Sequence, residues 1–218
     1  LWQVTEIVAN SANPGGDDAF EYVEIVNASD GPLVWDDFRL RYLRPLIDRT
    51  TVWTQEWPTT TTNVTVEAGE SLVLWVRNGA SSGLGVADFK AAYGTSLVEG
   101  RDLAMVDGTG LTNGDLRGVE IATPFGVQIT RALYNEPGNA DASVAQGVGG
   151  TYAPATEAGG VQERVGTADP TPGTVDPAQL GDPLAQPVNV EPPVIIDDTS
   201  STFAPGRGVE IRAWIRDD

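Results

Sequence analysis

The sequence predicts an all-β chain, an antiparallel β-sandwich with one short helix, and three observations carry that. Short apolar or alternating runs recur along the chain, and clusters of Gly, Pro, Asn and Asp separate them. Only Val86, Phe89 and Tyr93 have helical spacing, and Gly94 follows them as a stop. About eight such runs with one helix suit two packed sheets better than alternating strands and helices.

Residues 2–9 alternate, with Val4 and Val8 flanking Glu6 on one face and Thr5 and Ile7 on the other. Residues 13–18 form an Asn-Pro-Gly-Gly-Asp-Asp loop. The stretch 20–40 then reads strand, turn, strand. Tyr22, Glu24 and Val26 share one face and Val23 and Ile25 the other. Asn27 to Pro32 has turn chemistry, and Trp35, Phe38 and Leu40 supply the next apolar surface. Residues 46–62 are a long Thr-rich connection with a short strand at 51–53. Ser71 to Val76 is almost continuously apolar, so it predicts a strand buried on both faces. Further strands are predicted at 102–106, 118–122 and 127–133, with Pro124-Phe125-Gly126 as a hairpin turn. Residues 135–160 read as a loop anchored by Tyr152, and 161–165 as the last strand of this domain.

Domain boundaries follow from composition. Residues 1–178 form the sandwich, and 179–193 carry repeated Pro as a linker. Residues 194–218 hold two more strand-like runs. Two strands bury too little surface to stand alone.

The chain has 218 residues and a formal net charge of −18, from 31 acidic and 13 basic side chains. Lys90 is the one lysine. Such a chain repels nucleic acid and anionic membrane surfaces. Its expected partners are neighbouring domains of the same polypeptide, other proteins or glycans. There is no Cys and no His. That excludes disulfides, Ser-His-Asp and Cys-His nucleophiles, and thiolate or imidazole zinc sites. No apolar run reaches transmembrane length. Leu1 is not a start Met, so the numbered chain reads as a mature or trimmed piece.

Four stretches resemble the lamin-tail domain in its bacterial, secreted form. They are Thr5-Glu-Ile7 with Asn10, the run Tyr22 to Asn27 followed by Trp35 to Leu40, Val64 to Trp75, and Gln162 to Val165 followed by Thr171-Pro-Gly173. Together they span residues 1–174. The resemblance implies an immunoglobulin-like sandwich, and residues 194–218 resemble the opening strands of another immunoglobulin-like module. It also implies an extracellular or cell-surface accessory module beside a hydrolase domain, a phosphoesterase or nuclease, outside this chain. Nuclear lamin tails are implicated in contacts with chromatin and nuclear-envelope proteins, but this acidic chain lacks a basic surface for that. The connections 46–62 and 135–160 are longer than the compact family pattern.

Three sets of residues bear on chemistry. Asp17, Asp18 and Glu21 cluster after a Gly-Gly turn, and oxygen-only ligands from a loop suit calcium. Solvated carboxylates are the other reading, and the spacing matches no established calcium loop. Trp53 and Trp57, four apart, suit either an aromatic platform for a sugar ring or a cover for one end of the sandwich. Glu6 and Glu24 come near each other if their strands pair, which is unfavourable without a compensating cation. Paired carboxylates can hydrolyse glycosides, but no Glu-x-Asp-x-Glu strand is present, so no catalytic residues and no resident cofactor are expected. Asn27 and Asn63 sit in glycosylation patterns that a bacterial setting leaves idle.

Overall fold

The computed structural model describes residues 1–11, 18–45, 52–136, 144–181, 195–197 and 213–215. By contact the chain divides into two units, Leu1–Ala185 and Gln186–Asp218. Most of the expected linker, residues 182–193, lies outside the described residues.

The first unit is an all-β sandwich of the immunoglobulin-like type, with one short helix. Its strands in chain order begin with β1 (Trp2–Val8), β2 (Tyr22–Asn27), β3 (Leu33–Val34), β4 (Arg39–Pro45) and β5 (Val52–Trp57). Then come β6 (Thr65–Val66), β7 (Ser71–Arg77), β8 (Leu103–Asp107), β9 (Arg117–Ala122) and β10 (Gln128–Tyr134). The set closes with β11 (Gly149–Tyr152), β12 (Val161–Gln162) and β13 (Arg164–Ala168). The first sheet runs β13-β11-β1-β2-β7-β8 and the second β12-β10-β9-β4-β5. A small β3–β6 pair stands apart. Pairing is antiparallel except at β7–β8 and β10–β12, which are parallel. Helix α1 (Val86–Tyr93) is the one α-helix among the described residues. None is long and apolar enough to cross a membrane. In the second unit, β14 (Ile195–Asp197) and β15 (Ala213–Ile215) form an antiparallel pair.

The structure refines three sequence expectations. The stretch 20–40 is strand, turn, strand as expected, but its two strands do not pair: β2 belongs to the first sheet and β4 to the second. Asn27 makes the crossing. Its buried amide donates to Gly31 O (2.8 Å) and Val66 O (2.9 Å) and accepts from Ser29. Asn27 is therefore not available to a glycan. The run 161–165 is two strands, because the chain changes sheets between Gln162 and Arg164. And β1 does not alternate throughout. A bulge falls between Val4 and Glu6, where β1 pairs with β2. It turns Trp2, Val4 and Ile7 inward, and leaves Val8 in a second cluster on the other side.

The main core lies between the sheets and includes Trp2, Ile25, Trp35, Leu40, Tyr42, Leu74, Val119 and Tyr134. The second cluster lies on the first sheet's outer face. There α1 and its flanks cover Tyr22, Val73 and Trp75 with Phe89 and Leu97. This is why β7 is apolar on both faces.

One side chain ties the two sheets together at the bulge. Gln162 is buried on β12. Its Oε1 accepts from Val4 N (2.7 Å) and Thr130 Oγ1 (2.8 Å). Its Nε2 donates to Val4 O (2.9 Å) and Ala153 O (2.8 Å). All four bonding positions of the amide are used. Gln162→Leu keeps the bulk but removes these partners from buried groups, each worth about 1–3 kcal/mol when left unpaired. A loss of about 3 kcal/mol by urea titration is expected. A loss below about 1 kcal/mol would show that the amide is not the tie.

Candidate functional site

Four glutamates sit on or beside strands and are buried: Glu6, Glu21, Glu24 and Glu120. A buried carboxylate needs a cation, a proton or several hydrogen bonds. Glu120 on β9 has cations. Arg131 Nη2 lies 2.6 Å from its Oε2, and Arg41 Nη1 lies 3.4 Å from its Oε1. The other three have no Arg or Lys partner among the described residues, which sets them apart.

Glu21 precedes β2 at the mouth of the first sheet and is 1% exposed. Its Oε1 accepts from Leu111 N (2.8 Å) and its Oε2 from Asn78 Nδ2 (2.8 Å). Burial pushes its carboxyl up to about 9, with Asp18 adding to the rise and the two hydrogen bonds opposing it. Asp18 is held by Asn113, whose Nδ2 donates to its Oδ2 (2.7 Å). Asn78 Nδ2 also donates to Asp18 O (2.7 Å). So the structure does bring Asp18 and Glu21 to one place, but both already accept hydrogen bonds from the protein. Asp17, the third residue of the expected calcium cluster, lies outside the described residues. In the sequence, Asp107 to Asp115, which holds Leu111 and Asn113, reads as a Gly-rich turn that also offers carboxylates to a metal, and 78–85 as a Gly/Ser loop. Neither reading brings Leu111 N, Asn113 and Asn78 onto Glu21 and Asp18, where the structure has them.

Glu6 and Glu24 face each other across β1 and β2. They are 3% and 1% exposed. Tyr22 OH donates to Glu6 Oε2, and Thr171 N donates to the same oxygen at 3.2 Å. Glu6 Oε1 has no hydrogen-bond partner among the described residues. Glu24 accepts from Gly173 N (2.8 Å) at Oε1 and from Thr5 Oγ1 (3.0 Å) at Oε2. Burial pushes the Glu6 carboxyl up to about 7, against the hydrogen bonds from Tyr22 and Thr171. It raises the Glu24 carboxyl too. The pair anticipated from sequence is thus real. The N–H groups of Thr171 and Gly173 offset part of its cost.

The tryptophan pair separates. Trp57 is not available to a sugar: it is 1% exposed and stacks on Tyr42, ring centroids 4.7 Å apart. Gly108 lies flat against it, where a Cβ would come within 2.7 Å of the indole. Trp53 lies four residues back on the same strand face and is 50% exposed. The Arg44 guanidinium sits 4.7 Å from its ring centroid. One ring that is already capped does not make a two-ring platform.

Among the described residues, no group of three or more carboxylates is placed to hold a metal ion. An open cleft of about 290 Å³ lies beside Trp35, Asp36, Arg39 and Glu56. Arg39 Nε and Glu56 Oε1 are 3.4 Å apart in it.

No family model matches the sequence. The chain is similar to a Bacillus subtilis (strain 168) protein named "Uncharacterized protein YvnB", with 32% identity over 232 residues. The match takes in 98% of this chain and 16% of that protein, so the chain spans a minor part of that relative's length.

Proposed function

We propose that this chain is a non-catalytic structural or interaction module of a longer, secreted bacterial protein, built on the lamin-tail plan and accessory to a hydrolase domain elsewhere in the polypeptide. The observation that carries this is the use made of the strand carboxylates. Glu6, Glu21 and Glu24 are buried, and each accepts a hydrogen bond from a backbone N–H of the protein itself, at Thr171, Leu111 and Gly173 respectively. The match supports the same reading, because nearly the whole chain aligns with 16% of a much longer protein. The net charge of −18 supports protein or glycan partners over nucleic acid.

A calcium role at Asp18 and Glu21 is the second reading, favoured by their meeting at one loop cluster. One set of measurements separates the readings. The purified chain is assayed on phosphodiester and glycoside substrates, and its melting is followed in calcium and in sodium at matched ionic strength. The module reading expects no turnover and equal melting curves. Turnover that Glu24→Gln abolishes would overturn it. A calcium-specific rise in melting temperature, lost in Asp18→Asn with Glu21→Gln, would favour the calcium role.

A further inference from the structure

We propose that residues 171–179 form a proton-controlled strap, which Glu6 and Glu24 hold on the first sheet and which lifts as those carboxyls ionise. The inference does not depend on the module reading above.

The strap crosses the outer face of the first sheet. Thr171 N donates to Glu6 and Gly173 N to Glu24. Gln179 Nε2 donates to Thr5 O (2.7 Å) and Tyr152 O (3.2 Å). The 3-10 turn Pro177–Gln179 is capped by Asp176, which accepts from Ala178 N at 2.9 Å. Gly173 has φ +88° and lies so close to Leu97 that a Cβ would come within 2.7 Å of Leu97 Cδ2. Pro172 is buried, but Thr171, Gly173, Thr174 and residues 176–178 are exposed. Little apolar burial therefore holds the strap, and its hydrogen bonds matter in proportion.

Docked, the strap shuts two facing carboxyls away from water with no Arg or Lys beside them. The titratable groups acting on Glu6 are Tyr22 and Glu24 from β2, and Tyr93 from α1 lies close enough to feel its charge. Glu24 is faced by the hydroxyls of Thr5 and Ser71. None is a cation. The strap's two N–H groups favour the ionised form, but burial outweighs them at both residues. Lifted, the strap lets water reach both carboxyls, which then return toward the ordinary carboxylate range. Docking therefore takes up protons, and rising pH favours the lifted state. For each linked proton the opening constant grows about tenfold per pH unit between the two ranges.

The test is amide exchange on the full chain from pH 5 to pH 9, with intrinsic rates corrected. Protection at Thr171 and Gly173 should fall about tenfold or more, while protection within β7 stays unchanged over the same range. In Glu6→Gln with Glu24→Gln the fall should vanish, because the amides keep acceptors without ionising. Since that variant risks misfolding, the carboxyl ¹³C shifts of Glu6 and Glu24 are titrated in the unmodified chain. They should move in the same pH range in which the strap loses protection. Protection that is constant with pH, protection lost only together with β7, or carboxyls that ionise while the strap stays protected would each overturn the proposal.

Discussion

Raising the pH from 5 to 9 is expected to destabilise the first unit by about 4 kcal/mol, the reverse of ordinary acid denaturation. The cause is the set of buried carboxyls without cations. Glu21 is held up to about 9 by burial, and Glu6 up to about 7. Unfolded, both return to the ordinary value near 4.5. Between those values the folded chain holds protons that the unfolded chain has released. Stability is then fully present below pH 4.5 and falls with rising pH. The Glu6 share is gone by about pH 7 and the Glu21 share by about pH 9. At about 1.4 kcal/mol per unit, the two windows bound the loss at roughly 3 and 6 kcal/mol. Water entry and local relaxation reduce both, which leads to the smaller figure. The net charge of −18 acts in the same direction, since partial protonation relieves self-repulsion. Urea midpoints at pH 5, 7 and 9 measure it. Glu21→Gln should flatten the profile between pH 7 and 9 and roughly halve its slope between pH 5 and 7. A stability that holds level or climbs from pH 5 to 9 would show that these carboxyls ionise inside the fold at no penalty.

The fold class was legible because it rests on local pattern. Continuous apolar runs gave β7, and helical spacing gave α1 at its observed bounds. Strand β11 was not legible. Its Gly-Gly-Thr-Tyr sequence carries turn residues, and it is a strand because β1 and β13 flank it. The bulge in β1 was hidden for a related reason: Gln162, far along the chain, bonds Val4 beside it. The candidate site was half legible. Strand pairing alone places Glu6 opposite Glu24. Glu21 looked like a surface ligand because its partner Leu111 N is 90 positions away in sequence. Trp57 looked available because nothing local announces the stacking of Tyr42 or the approach of Gly108. Periodicity reports which face a residue is on, not what closes over it.

Trp75→Ala is expected to cost about 3–5 kcal/mol, the range for removing a buried aromatic. Trp75 lies on β7 and is fully buried, but on the outer face of the first sheet rather than between the sheets. Its ring stacks near Phe20 (6.2 Å between centroids) and meets Phe89 of α1 at 5.2 Å. Its Nε1 donates to Ala19 O at 3.0 Å. The Arg77 guanidinium lies 4.8 Å from the ring centroid. Truncation opens a cavity under the helix and removes the indole N–H that donates to the Ala19 carbonyl. The helix has eight residues, too few to persist without packing. Loss of Trp75 should therefore loosen α1 before the sheets separate, with amides of Phe89 and Tyr93 exchanging sooner than those of β9. Trp75→Phe keeps most of the ring and should lose about half as much. Denaturant titration of the three chains decides the matter. A loss below about 1 kcal/mol for the Ala variant would mean that α1 packs on this face without depending on the indole.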